Sequence, residues 1–191
     1  MNRIIVCMLC AVMASGAFAQ ERGKVRGGLD FGYCIPSDGG GGAAVNLNLG
    51  YNLQDNMNVG VRWGVAAMAK VDQWGETGTA KANFNYLATF NYYFNSGTSP
   101  VAPFVGCGAG LYVVAGASVN TSSGSVGTDN KFGGMLMGGV EIGKLRVAVE
   151  YNLVPSTDVQ IAVGSNADDK IKNGYLAITT GFYFGGGKWR K

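Results

Sequence analysis

The chain has 191 residues, enough for one domain with a sizeable core, and its formal net charge of +3 is too small to indicate nucleic-acid binding. It contains no histidine, which excludes histidine-dependent catalytic triads and histidine metal sites. Charged residues make up 14%, well below the roughly 25% of an ordinary soluble protein, and the 32 glycines follow no collagen-like period.

The first residues have the organisation of a secretory signal peptide. Arg3 precedes the apolar run IIVCMLCAVMA, and AFAQ offers a cleavage site between small residues after Ala19. An apolar run of about 15 residues is too short to cross a bilayer comfortably as an anchor. The sequence therefore predicts an exported protein in which residues 1–19 are removed and residues 20–191 form a single domain.

Eight segments with alternating apolar and polar residues follow, separated by clusters of Gly, Asn, Asp, Ser and Pro. They lie at 24–35, 43–53, 57–70, 80–94, 103–116, 132–142, 145–153 and 173–184. Each has about 9 to 15 residues, whereas strands of soluble proteins usually have about 5 or 6 and a tilted strand that crosses a bilayer needs about 9 to 11. The segment length favours a membrane barrel.

In the first three segments, large apolar residues share one face. The first segment sets Leu29, Phe31, Tyr33 and Ile35 against Arg26, Asp30 and Cys34. In the second and third segments the apolar positions are Val45, Leu47, Leu49, Tyr51, Leu53, Met57, Val59, Val61, Trp63 and Val65. A three-residue turn at QDN would join these two segments in a hairpin with matched faces. Its pairs would be Leu53 with Met57, Leu49 with Val61 and Leu47 with Trp63.

The later segments are less uniform. The fourth and eighth alternate clearly, with Phe84, Tyr86, Phe90, Tyr92 and Phe94 on one face of the fourth and Leu176, Ile178, Phe182 and Phe184 on one face of the eighth. The segments at 103–116 and 132–142 are glycine-rich and apolar on both faces, so the pattern does not determine their facing. Aromatic residues near segment ends are expected at the membrane interfaces, or else in the core of a soluble barrel. They are Tyr51, Trp63, Tyr92, Phe94 and Phe104.

The sixth and seventh segments predict a hairpin that carries an ion pair. A two-residue turn with Gly143 first and Lys144 second suits type II′ geometry. This turn places Glu141 directly opposite Arg146, where opposite charges stabilise a strand pair. The apolar pairs would be Ile142 with Leu145, Val140 with Val147 and Leu136 with Tyr151.

The connections between segments alternate in length. Long ones are predicted at PSDGGGG, VDQWGETGT, 117–131 and 154–172, and the others at QDN, 95–102 and GK. In bacterial outer-membrane barrels the periplasmic turns are short and the external loops are longer. The four long connections are therefore expected to be external. Trp74 lies in one of them, where it would serve either in recognition or in loop packing.

A closed antiparallel barrel of eight strands accounts for these patterns, because a β-protein in lipid must pair every backbone polar group internally. The polar face then points inward, since an arginine facing lipid at the bilayer midplane costs about 2 to 4 kcal/mol. The charged residues predicted to form a lumenal network are Asp30, Arg62, Glu141, Arg146 and Glu150. Their expected role is structural, with Arg62 as the partner of Glu150. Cys34 and Cys107 would lie on opposite strands, so no disulfide is expected.

The export signal, the eight long strands, the short turns and the segments AVEYNL and AITTGFYF resemble small outer-membrane β-barrels of the OmpA and OmpX type. The resemblance implies an outer-membrane location, a lipid environment and insertion by the barrel-assembly machinery, which reads an aromatic residue at the end of the last strand. Phe184 matches that position. Because the chain continues through GGGKWRK, the last strand would end at Phe184 or at Trp189.

The predicted role is a monomeric, structural or interaction protein that displays four external loops for a host or surface ligand. The first alternative is a narrow pore or transporter for small or hydrophobic solutes. A soluble, ligand-binding barrel is a second alternative, which the sparse charge on the polar face disfavours. Enzymes among eight-stranded outer-membrane barrels are expected to use histidine, so no catalytic activity, metal or cofactor is predicted.

Overall fold

The computed structural model describes residues 21–37, 39–71, 78–94, 99–120, 123–158, 170–171 and 173–187. The predicted signal peptide at 1–19 with its cleavage site after Ala19, the loop residue Trp74 and the alternative strand end at Trp189 lie outside these residues. No helix in the described part of the chain is long and apolar enough to span a membrane.

Eight of the described strands close into an all-antiparallel barrel, which confirms the predicted fold class. The described residues form ten strands in all, which are β1 (Val25–Pro36), β2 (Gly41–Gln54), β3 (Met57–Val71), β4 (Gly78–Tyr93), β5 (Val101–Asn120), β6 (Ser123–Ile142), β7 (Leu145–Leu153), β8 (Thr157–Asp158), β9 (Lys170–Ile171) and β10 (Tyr175–Gly185). Their order around the barrel is β1-β10-β7-β6-β5-β4-β3-β2, while β8 and β9 pair separately. Closure pairs both edges of the sheet, as a barrel in lipid requires.

The two ends of the barrel differ in what they carry. At the terminal end, the first and last parts of the described chain meet, where Glu21 N donates to Gly186 O. The connections β2–β3, β4–β5 and β6–β7 lie at the same end. At the opposite end, the loop end, β1 joins β2, β3 joins β4, β5 joins β6, and β7 leads through β8 and β9 to β10. Consecutive connections therefore alternate between the two ends.

The hairpin of β6 and β7 has the predicted register. Glu141 lies opposite Arg146, and Gly143 begins the turn with a φ of 63°, a conformation that suits glycine. The apolar pairs Ile142–Leu145, Val140–Val147 and Leu136–Tyr151 are also present. The alternation of apolar and polar residues in the two neighbouring segments, together with the short turn between them, was sufficient to predict this register.

The hairpin of β2 and β3 departs from its predicted register at the turn. The pairs Leu49–Val61 and Leu47–Trp63 are present, but Met57 pairs with Gln54 and not with Leu53. The ladder shifts between Asn52 and Gln54. A β-bulge therefore absorbs one residue of β2, which shortens the predicted three-residue turn to two and raises the local twist.

The prediction of a long connection at 117–131 is wrong, because β5 and β6 continue through most of this segment. The two strands pair without interruption from Val101 and Ile142 to Asn120 and Ser123. Gly, Ser and Thr in this segment resemble a loop by composition. Such residues can nevertheless extend an existing hairpin, because the backbone N–H and C=O groups of each strand form hydrogen bonds with those of the other.

The last strand ends at Gly185, which makes Phe184 its final aromatic residue. Gly185, Gly186 and Gly187 all have positive φ, between 77° and 82°, so the chain leaves the extended conformation immediately after Phe184. The physical signal for the end of the strand is thus the glycine run GGG, and not the later tryptophan.

Large apolar side chains cover the outside of the barrel, and the inside holds the buried polar and charged side chains together with buried apolar ones. In β7 the pattern is strict, with Val147 and Val149 exposed and Ala148 and Glu150 buried. The facing of β5 and β6 is also determined: Ala102, Phe104, Tyr112, Met135, Met137 and Glu141 point inward. So extensive an exposed apolar surface indicates contact with lipid.

Phe104 is the exception among the aromatic residues that were expected at a membrane interface. Its side chain is 2% exposed and stacks on Tyr93, with ring centroids 5.4 Å apart. The register of β5 gives Phe104 the inward parity that it shares with Ala102 and Tyr112. Position near a strand end does not decide facing, and here the expectation was wrong.

Candidate functional site

The candidate site is the lumen, which contains two clusters of buried charged residues. The terminal-end cluster consists of Arg26, Tyr93, Glu141 and Arg146. Glu141 Oε1 accepts hydrogen bonds from Arg26 Nη2 at 2.9 Å and from Arg146 Nε at 2.9 Å. Tyr93 Oη donates to the same oxygen at 3.0 Å and accepts from Arg26 Nη1 at 3.1 Å and from Arg146 Nη2 at 2.6 Å. Each group in this cluster is therefore held from several sides.

The central cluster consists of Asp30, Asn48, Arg62, Glu150 and Thr179. Arg62 Nη1 lies 2.8 Å from Glu150 Oε2, and Arg62 Nη2 lies 3.5 Å from Asp30 Oδ2. Asn48 accepts from Arg62 Nε at 2.8 Å and donates to Asp30 Oδ2 at 2.8 Å. Thr179 Oγ1 donates to Glu150 Oε1 at 3.1 Å. Ions buried this deeply are tolerated when they are paired and hydrogen-bonded in this way.

Tyr183 links the two clusters. Its ring centroid lies 4.3 Å from the guanidinium carbon of Arg26 and 4.3 Å from that of Arg146, within range of cation–π attraction. Its hydroxyl donates to Asp30 Oδ2 at 3.2 Å. One side chain thus touches both clusters and joins them into a continuous network.

The clusters balance each other in charge. The terminal-end cluster has two arginines and one glutamate, and the central cluster has one arginine and two carboxylates. All six charged residues are 5% exposed or less. Formal charges of opposite sign therefore face each other along the barrel axis and sum to zero, which limits the cost of burying them.

The five residues predicted for the lumenal network all lie inside the barrel, where Glu141 contacts Arg146 and Arg62 contacts Glu150. Sequence reasoning did not include Arg26, Tyr93 or Tyr183 in that network. The inward parity of Arg26 was readable from β1. Its pairing with Glu141, 115 residues away, was not readable, because that pairing depends on barrel closure.

The cavity that the described residues form beside these clusters is small. A cavity of about 10 Å³ is lined by residues that include Arg26, Asn58 and Met137, a volume that holds about one water molecule. A Cβ at Gly181 would collide with Asp30 Oδ1 and with Leu29 O, so glycine is required where β10 approaches β1. Among the described residues, no group of three or more Cys, Asp or Glu side chains is placed to bind a metal ion.

Comparison with known proteins agrees with this architecture. A family model described as "Outer membrane protein beta-barrel domain" matches residues 4–184. No curated protein matches the chain.

Solved structures of small barrels are similar to this chain at low sequence identity. Neisserial surface protein A (NspA) has 18% identity and a TM-score of 0.52, over 88% of this chain and 98% of that chain. The N-terminal β-barrel domain of OprF from Pseudomonas aeruginosa has 12% identity and a TM-score of 0.49, over 86% and 100%. OprG from the same organism has 13% identity and a TM-score of 0.48, over 87% and 98%. The likeness to NspA supports the fold, and the family match over residues 4–184 shows that this chain belongs to the outer-membrane β-barrel family.

Proposed function

We propose that the protein is a monomeric, non-catalytic barrel of the outer membrane that anchors its loop-end connections at the cell surface for contact with a host or surface ligand. The observation that supports this role best is the pairing of all six buried lumenal charges with one another. Charged groups that are paired with one another inside the protein are suited to holding the barrel together. They are poorly placed to bind a substrate or to line an aqueous path.

The exposed belt supports a lipid environment around the whole barrel. Outward residues of opposite strands, such as Phe31 on β1 and Val105 on β5, are about half exposed, at 50% and 49%. Each is of a type that lipid solvates well. A single chain closes the barrel, so no second copy is needed to pair its edges.

Biogenesis follows from the same proposal. Residues 1–19 would be removed after Ala19, and residues 20–191 would be inserted as one domain. The barrel-assembly machinery would recognise the end of β10, where Phe184 is the last aromatic residue. The short connections would then remain periplasmic, and the four connections of the loop end would be external.

Single-channel recording in planar bilayers tests the structural role against the pore alternative. The purified barrel, shown to be folded by its heat-modifiable migration, is inserted beside an open porin as positive control. The network predicts no conductance above background for this protein. Reproducible single-channel steps would contradict the structural role and favour a narrow pore.

A further inference from the structure

A notch lies on the outer surface of the barrel at the loop end, where β7 ends and β10 begins. Its volume is about 440 Å³, within the range of about 300 to 1,000 Å³ that is usual for small-molecule sites. The described residues that line it include Ser37, Tyr151, Leu153, Pro155, Ser156 and Gly174. We call this feature the rim notch.

The rim notch is a gap in the outward row of side chains. The row below it is filled, because Leu176 of β10 lies opposite Tyr151 of β7. At the next outward position of the chain before β10 stands Gly174, and Ser37 N donates to Gly174 O at 3.0 Å. A Cβ at Gly174 would lie 3.5 Å from Ser37 Oγ and would therefore point into the notch. The missing side chain of this glycine leaves the space between Leu153 and Ser37 open.

Hydrogen bonds hold both sides of the notch in place. The ladders of β7 end by Leu153, two residues before Pro155, which has no N–H group to donate to a neighbouring strand. Pro155 O accepts from Asn173 Nδ2 at 2.8 Å, so a side chain joins the two strand ends at this level. Lys131 Nζ donates to Ser156 O at 2.9 Å on the β6 side. The notch is thus formed by contacts within the barrel and needs no ligand to hold it open.

The lining is apolar on one side and polar on the other. Tyr151 and Leu153 are 44% and 47% exposed and belong to the outward surface that contacts lipid. Ser37 and Ser156 are exposed nearer the loop end, and a serine hydroxyl both donates and accepts hydrogen bonds. A partner that fits both sides is amphipathic, with an apolar chain beside Tyr151 and Leu153 and hydrogen-bonding groups beside the two serines.

The charge of the lining restricts the polar part of that partner. None of the described lining residues is Lys, Arg, Asp or Glu. Lys131 reaches the segment from β6, but its ammonium group is paired with Asp129 at 2.9 Å. Phosphate and carboxylate groups are usually bound by arginine or lysine. An uncharged head group that carries hydroxyls, such as a sugar, therefore fits the notch better than an anionic head group.

We propose that the rim notch binds a glycolipid of the surrounding membrane, with an acyl chain along Tyr151 and Leu153 and an uncharged sugar head group at Ser37 and Ser156. The notch is continuous with the lipid-facing surface, so a lipid reaches it by lateral diffusion while its acyl chain stays in hydrocarbon. The proposal goes beyond the display of loop-end connections, because it assigns a bound lipid to the outer surface of the barrel itself.

Nuclear magnetic resonance of the barrel in phosphatidylcholine nanodiscs tests this proposal. The leucine methyl groups are labelled with ¹³C and assigned with single-site variants. Leu153 reports on the notch, and Leu49 of β2, with a similar exposure of 46%, is the internal control. The nanodiscs receive an increasing mole fraction of glucosyl diacylglycerol or, in a parallel series, of phosphatidylglycerol with the same acyl chains.

The proposal predicts a saturable shift of the Leu153 signal with the glycolipid and no saturable shift at Leu49. Phosphatidylglycerol should give no saturable shift at either position. A shift of Leu153 that does not saturate, or an equal response to phosphatidylglycerol, would overturn the proposal.

Variants locate the response in the notch, each first shown to fold by its heat-modifiable migration. Gly174→Val fills the gap and should raise the mole fraction at half-saturation at least about tenfold. Ser37→Ala keeps the backbone bond to Gly174 but removes the hydroxyl, and should raise it at least about threefold. Gly138→Val is the matched control, because a Cβ there meets only Phe104 O, at 3.8 Å, and it should change nothing. Undiminished binding in both notch variants would also overturn the proposal.

Discussion

Arg62 is 2% exposed, and each of its three side-chain nitrogens has an acceptor, in Asn48, Glu150 and Asp30. Arg62→Ala would leave two buried carboxylates without their counter-charge. The free energy of unfolding should fall by about 3 to 5 kcal/mol, the range for breaking a buried ion pair. Urea titration of the barrel in lipid vesicles, followed by the gel-mobility shift, measures this change.

Lys131→Ala is the matched control. Its ion pair with Asp129 has a similar length, 2.9 Å, but the carboxylate side chain is 46% exposed, and the lysine, 14% exposed, also donates to Ser156 O. Removing such a pair should cost at most about 1 kcal/mol. Equal losses for Arg62→Ala and Lys131→Ala would contradict the importance assigned to the central cluster.

A second prediction at the residue scale concerns the hydroxyl of Tyr93. Tyr93→Phe keeps the ring that stacks on Phe104 but removes the bonds to Arg26, Glu141 and Arg146. We expect the free energy of unfolding to fall by about 1 to 3 kcal/mol, because buried charged groups lose a partner. Tyr86→Phe, on the exposed face, should change stability by less than about 0.5 kcal/mol. The same urea titration decides between these outcomes.

At the scale of elements, the sequence predicted strand pairing well where two strands are neighbours in the chain and a short turn joins them. Leu49 opposite Val61 and Glu141 opposite Arg146 follow from alternation and a short turn. The bulge at Leu53 and the inward facing of Phe104 depend on the twist of the sheet and on parity across glycine-rich strands. The contact of Arg26 with Glu141 depends on closure of the whole barrel, so no short segment contains its signal.

The extended hairpin of β5 and β6 allows a prediction about the elements themselves. Replacing residues 117–126 by Asn-Gly joins the paired positions Gly116 and Gly127 through a two-residue turn. Since β7 already ends its pairing with β6 at Gly134, the barrel should still close and keep its heat-modifiable migration on gels. Failure of this variant to fold would show that the hairpin extension is required for closure.

At the scale of the whole molecule, the distribution of polarity is the reverse of a soluble barrel. Arginine, glutamate and asparagine occupy the inside, while Phe132 at 70% exposure and Leu136 at 55% exposure lie outside. The sequence predicted this reversal from its sparse charge and long strands. We therefore expect folding to require detergent or lipid, with the protein in the outer-membrane fraction. Recovery of a folded monomer from aqueous buffer would contradict a membrane barrel.

The most direct test of the inside-out barrel is the accessibility of consecutive positions in β7. Spin labels are attached to Val147→Cys, Ala148→Cys and Val149→Cys in a chain that lacks Cys34 and Cys107, reconstituted in lipid. The structure predicts high collision rates with oxygen, which concentrates in lipid, at positions 147 and 149, and a low rate at 148. Equal accessibility at all three positions, or a maximum at 148, would contradict the account.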